Sequence, residues 1–135
     1  MDFLRDLLPF LTRTQKRRVA EALARAEART TGEIHVHVLA LAPPRPLHET
    51  AEKVFHELKL HETPHRNGVL ILISKGDRRF AIWGDRGIHQ AAGHPLWAEA
   101  LDALREGLRD GDHERAVVAA VEAVGRALER LFPKS

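Results

Sequence analysis

Gly68-Val69-Leu70-Ile71-Leu72-Ile73-Ser74, then Lys75-Gly76-Asp77, then Arg78-Arg79-Phe80-Ala81-Ile82-Trp83-Gly84-Asp85 is the stretch that decides the fold. The first run is apolar at nearly every position, as a strand is when helices cover both faces of its sheet. Turn composition follows it, and strand composition returns after the turn, so the two runs form a β-hairpin. A strand this apolar belongs in the middle of a sheet. Its hairpin partner takes one side and leaves the other to a strand from elsewhere in the chain.

Upstream, Glu33-Ile34-His35-Val36-His37-Val38-Leu39-Ala40-Leu41 alternates with a period of two, and Pro43, Pro44 and Pro46 stop it. Between this strand and the apolar one, Ala51, Val54, Phe55 and Leu58 form one helical stripe, with Glu49, Glu52, Lys53 and Glu57 outside it and Thr63-Pro64 beyond. Two strands joined through a helix run parallel, with a right-handed crossover. A first helix spans Thr14 to Thr30. Downstream, Pro95 opens a helix carrying Trp97, Ala100, Leu101, Leu104 and Leu108, with Gly111 after its end. Asp112 caps a final helix whose stripe is Val117, Ala120, Val121, Val124, Leu128 and Leu131. The predicted order is α-β-α-β-β-α-α in one domain, 1–135. Residues 1–11, apolar at 3, 4, 7, 8 and 11, form an N-terminal extension expected to pack on that domain.

The 135 residues include no cysteine, which excludes disulfide frameworks, zinc ribbons, iron–sulfur clusters and thiol nucleophiles. A formal net charge of +2 is too small to imply nucleic acid. The basic cluster Arg13, Lys16, Arg17 and Arg18 has no interleaved aromatics for base stacking and reads as a solvated helix face. No run of 18 apolar residues is present and the N-terminus lacks signal-peptide order, so the expectation is a cytoplasmic protein without a transmembrane segment.

The inferred topology brings three strand ends to one edge of the sheet: Thr31, Gly32 and Glu33; Arg66, Asn67 and Gly68; Gly84, Asp85, Arg86 and Gly87. Glu33 and Asp85 start about two strand spacings apart, on the order of 10 Å. Two readings of this edge stand. In one, Glu33, Asn67 and Asp85 supply hard oxygen ligands to a divalent cation, for which Ca²⁺ is suited. In the other, Arg66 pairs with Glu33 or Asp85 and the glycines only make turns. The opposite edge, at the carboxyl ends of the parallel strands, offers Ala42-Pro43-Pro44 and Ser74 to Arg78, with Asp77 as the competing acidic residue. His35 and His37 share a strand face without a third ligand nearby. His61 and His65, like His89 and His94, flank loops, and none forms a zincin pair. Nucleophile elbow, Walker loop and dinucleotide fingerprint are all missing, so no catalytic residue can be named.

Glu27-Ala28-Arg29-Thr30-Thr31-Gly32-Glu33-Ile34-His35-Val36, the runs 66–73 and 77–88, Trp97, Gly111-Asp112 and Phe132-Pro133 together resemble the TPM domain family, over about Thr12 to Pro133. That family includes a thylakoid-lumen protein of photosystem II repair and many bacterial proteins, and the chain looks like a short soluble bacterial member. The resemblance implies an α/β fold, a three-layer α/β/α sandwich around a small mixed sheet. It also brings two activities attributed to members, calcium binding and acid phosphatase. Longer, membrane-anchored members carry Gly-Tyr-Gly-Leu-Glu where this chain has Gly84-Asp85-Arg86-Gly87-Ile88. The leading expectation is a non-enzymatic module that binds Ca²⁺ through Glu33, Asn67 and Asp85 and contacts another protein. The alternatives are a metal-assisted acid phosphatase in which Arg66 or Arg86 holds the phosphate, and a metal-independent scaffold for an acidic partner.

Overall fold

The computed structural model describes residues 10–92 and 97–134. The elements are α1 (Arg13–Glu27), β1 (Glu33–Leu39), α2 (Leu47–Glu57), β2 (Gly68–Ser74), β3 (Arg79–Gly84), α3 (Arg86–Ala92), α4 (Ala98–Arg109) and α5 (His113–Leu131). The α-β-α-β-β-α-α order holds, with the two-turn helix α3 as an additional element between β3 and α4. Pro95 and His94 lie outside the described residues, as do residues 1–9 of the expected N-terminal extension. Of that extension, Leu11 is buried in the main core and Phe10 packs against it.

The sheet runs β1-β2-β3. β1 pairs parallel with β2 from Glu33 opposite Gly68 to Leu39 opposite Ser74, and β2 pairs antiparallel with β3 from Val69 opposite Gly84 to Ser74 opposite Arg79. Every residue of β2 is buried. The reason is two-sided cover. Val69, Ile71 and Ile73 join Ile34, Val36 and Val38 against Val19, Leu23, Leu104, Val121 and Leu128 of α1, α4 and α5, while Leu70 and Leu72 face Ala51 and Phe55 of α2. A three-layer α/β/α arrangement results.

Local chemistry sets the helix ends. Thr12 and Gln15 form a capping box at α1, Gln15 N–H to Thr12 Oγ1 at 3.2 Å and Thr12 N–H to Gln15 Oε1 at 2.9 Å. α2 stops at Glu57, six residues short of the Thr63-Pro64 expected to close it. Lys59 adopts φ +60°, and the Leu60 and Lys59 amides return to the carbonyls of Phe55 and His56. This is a Schellman ending with a lysine where glycine is usual. α4 ends in the same pattern at Gly111, φ +76°, as its glycine indicated. Small residues let the helices approach: a Cβ on Gly107 of α4 would collide with Ala116 of α5, whose Cα would lie 2.6 Å away. The chain end is tied back by Thr30, whose hydroxyl donates to the carbonyl of Phe132 at 2.6 Å and lies 3.2 Å from that of Leu128. No helix among the described residues is long and apolar enough to cross a membrane.

Candidate functional site

The sheet register assembles the edge expected from the topology. Glu33 and Gly68 are partners, and the Asp85 amide donates to the Gly68 carbonyl at 3.0 Å, so Glu33, Asn67 and Asp85 sit at three neighbouring strand ends. Their environments differ sharply. Asp85 is 5% exposed and Asn67 is wholly buried, whereas Glu33 is exposed.

Asp85 follows β3 directly and opens α3. Arg66 grips it from the loop before β2: Nε donates to Oδ2 at 2.7 Å and Nη2 to Oδ1 at 3.0 Å. The Arg86 amide adds a third bond to Oδ1, at 2.7 Å. A two-pronged guanidinium–carboxylate pair of this kind combines charge with fixed geometry. The bonds to Asp85 push the Arg66 guanidinium above its ordinary pKa. Of the two acids, Arg66 therefore pairs with Asp85 and not with Glu33. Arg66 itself has φ +50°, and its carbonyl accepts from the Gly87 amide at 2.9 Å. That contact needs glycine at 87, since a Cβ there would press on the carbonyls of His65 and Arg66.

Asn67 is held from two sides. Its backbone amide donates to Thr63 Oγ1 and its Nδ2 to Thr31 Oγ1, both at 3.1 Å, while Oδ1 is buried without a hydrogen-bond partner among the described residues. Buried polar atoms are overwhelmingly satisfied, so an orphaned carbonyl oxygen asks for an explanation. The Glu33 side chain makes no ion pair or hydrogen bond among the described residues. Its charge is felt by Glu27, an acidic neighbour that sequence periodicity places on α1 and not at this edge. Burial pushes the Glu27 carboxyl up, opposed by the Ile34 amide that it accepts at 2.8 Å and reinforced by Glu33. Arg86 is exposed.

The competing acid at the other edge, Asp77, is absorbed by its turn. Its Oδ2 accepts from Arg79 Nε at 2.6 Å, and the Ser74 hydroxyl together with Arg79 holds it below the ordinary carboxylate range. Arg79 in turn donates to the carbonyls of Arg45, Ala42 and Pro43 and so fastens the β1–α2 loop to the hairpin. His35 and His37 stack along the sheet face toward α2, with ring centroids 6.3 Å apart. Among the described residues no group of three or more His, Asp or Glu is placed to hold a metal ion. A cation at the Glu33 edge would have to draw on the Asn67 carboxamide as well as carboxylates.

Residues 4–127 match the family model described as the TPM domain. No curated protein matches the chain significantly. Among solved structures, the NMR structure of BA42 from the psychrophilic bacterium Bizionia argentinensis superposes with a TM-score of 0.86 at 31% identity, covering 97% of this chain and 90% of that one. The N-terminal domain of a P. gingivalis protein gives 0.75 at 20% identity, over 92% of this chain and 80% of that one. The N-terminal domain of cg2496 from Corynebacterium glutamicum gives 0.63 at 16% identity, over 87% and 74%, and like the previous one shares the fold.

Proposed function

The chain belongs to the TPM domain family, and on that footing we propose that it is a binding module whose Glu33–Asn67–Asp85 edge takes a divalent cation, Ca²⁺ by its chemistry, in competition with the Arg66 guanidinium. One observation carries this reading: the Asn67 Oδ1, fully buried and without a partner among the described residues, lies on the strand end between an exposed carboxylate and a buried one. A carboxamide oxygen and two carboxylates are the hard donors calcium takes, with flexible geometry and waters filling the remaining positions. Asp85 is already neutralised by Arg66, so the ion has to displace a resident cation. Arg66 has a side chain 30% exposed and can swing into solvent. Such competition implies weak affinity, in the range of modules that respond to about 10⁻⁴–10⁻³ M calcium. The exposed Glu33 and Arg86 would form the rim that a protein partner meets. The hydrolase alternative would rest on the exposed Arg86 as the phosphate clamp, or on Arg66 once it has left Asp85.

The test is an amide-detected calcium titration of the isotope-labelled full chain, with Arg66→Gln and Asn67→Ala alongside. Saturable shifts centred on 33, 67 and 85 are expected, tightened by Arg66→Gln and weakened by Asn67→Ala. Flat spectra at millimolar calcium, or identical responses in all three proteins, would overturn the proposal. Phosphomonoester turnover lost in Asp85→Ala would favour the hydrolase instead.

A further inference from the structure

A cavity of about 360 Å³ opens at the opposite edge of the sheet, where β2 runs into the hairpin turn. That volume is at the lower end of the range for small-molecule sites, roughly 300–1,000 Å³. Its position, beyond the carboxyl end of a parallel strand, is where open α/β sheets usually bind ligands. Phe10, Ile73 and Leu108 provide an apolar lining, and Lys75, Arg78 and Arg109 provide positive charge. His113 completes one wall, its ring stacked on Phe10 with centroids 4.2 Å apart and planes 6° from parallel.

Among the described residues the charge is poorly compensated. Asp77, the acid in the same turn as Lys75 and Arg78, is committed to Arg79. Neither Lys75 nor Arg78 has a side-chain hydrogen bond or ion pair among the described residues. Arg109 does pair, with Asp110 at 3.1 Å, but that carboxylate is shared with Arg115 at 2.8 Å. Arg78 also occupies a backbone conformation that suits glycine or asparagine, φ +56°. Placing an L-residue there costs on the order of 1–2 kcal/mol, which the turn bears while presenting a guanidinium at the cavity.

We propose that this cavity binds a small organic anion with an apolar body, an aromatic carboxylate or a phosphate ester of similar size. The apolar lining takes the body while Lys75, Arg78 and Arg109 take the charged group. Inorganic phosphate alone would use only half of the site, and an uncharged aromatic only the other half.

The probe is 2-naphthoate, titrated into the isotope-labelled full chain, with 2-naphthalenemethanol as its uncharged counterpart and inorganic phosphate as its apolar-free one. The expected result is saturable amide shifts over 73–78 and 108–113 with 2-naphthoate, and binding at least tenfold weaker for either comparison compound. The double variant Lys75→Gln, Arg78→Asn should lose at least tenfold in affinity. Asparagine tolerates the left-handed turn position, so its fold is kept and the amide spectrum verifies this. The proposal is overturned by shifts that map elsewhere, by equal binding of the uncharged compound or of phosphate, or by a double variant that binds 2-naphthoate as the parent does.

Discussion

Replacing Asn67 by alanine tests both the buried Oδ1 and the cation proposal, and the size of the effect carries the information. In the structure Oδ1 is buried without a partner, and Nδ2 donates to Thr31 Oγ1. A buried unsatisfied carbonyl costs about 1–3 kcal/mol, and an ordinary hydrogen bond contributes about 1 kcal/mol. Truncation to alanine relieves the first and forfeits the second, together with packing of roughly 1 kcal/mol per lost methylene-sized group. The carboxamide is three heavy atoms, so the packing loss is about 2–3 kcal/mol and the relief offsets only part of it. Without metal, Asn67→Ala should therefore cost about 1–2 kcal/mol, whereas with a fully bonded Oδ1 there is no relief, a second hydrogen bond is lost and the cost rises to about 4 kcal/mol or more. An unfolding entropy of about 2.1 cal/mol/K per residue makes 1 kcal/mol equivalent to roughly 3–4 °C for a chain this long. Calcium at ten times its dissociation constant should stabilise the parent by about 1.4 kcal/mol, or roughly 5 °C, through selective binding to the folded state. The variant should lose most of that gain. Thermal melts followed by circular dichroism, with and without calcium, read both quantities. A loss of about 4 kcal/mol or more in the absence of metal would mean that Oδ1 has a partner and the orphan argument fails. Equal calcium shifts in the two proteins would remove Asn67 from the site.

Three other perturbations address the frame that holds these edges. Gly107→Ala should destabilise by about 1–3 kcal/mol because α4 and α5 must separate, and Ala116→Gly should recover part of it in chemical denaturation. Thr30→Val removes the hydroxyl facing the buried carbonyls of Leu128 and Phe132, costing about 1–3 kcal/mol, with faster hydrogen exchange at the Thr31 amide. Glu27 has its carboxyl pushed up from 4.5, so the stability it contributes is complete below that pH and is lost as pH rises through the folded value. Glu27→Gln, which keeps an acceptor for the Ile34 amide, should therefore be the more stable protein at pH 7, with the gap closing below pH 4.5 in urea titrations.

The fold was legible wherever side-chain periodicity reports burial. β2 could be placed at the centre because apolarity on both faces has one common cause, cover by helices on both sides, and the register then follows from the hairpin and the crossover. What escaped were features made by backbone geometry with ordinary side chains. The end of α2 depends on Lys59 at φ +60°, and nothing in the identity of a lysine announces a left-handed residue. The seven-residue α3 escaped for a related reason. Arg86-Gly87-Ile88-His89-Gln90-Ala91-Ala92 is too short for a periodic stripe, and its start is set by Asp85, whose carboxylate and carbonyl collect the Arg86 and Ile88 amides.

At the site, topology predicted proximity but not allegiance. Strand order alone brought Glu33, Asn67 and Asp85 to one edge, since register places Glu33 beside Gly68 and Asp85 beside the same residue. Which charge Arg66 would neutralise depended on a loop residue at φ +50° and on a glycine at 87 that lets α3 sit against the Arg66 carbonyl, neither of which has a sequence period. The consequence reaches function. Because Asp85 is paired and buried while Glu33 is exposed and unpaired among the described residues, the two acids cannot respond alike to a cation: Glu33 is available at once, and Asp85 only after Arg66 departs. At the far edge the allocation runs the other way, with Arg79 taking the one acid of the turn and leaving Lys75 and Arg78 uncompensated among the described residues. Each edge thus carries the charge its ion pair does not consume, negative beside Asn67 and positive beside the cavity, which is why opposite classes of small ligand are assigned to the two ends of one three-stranded sheet.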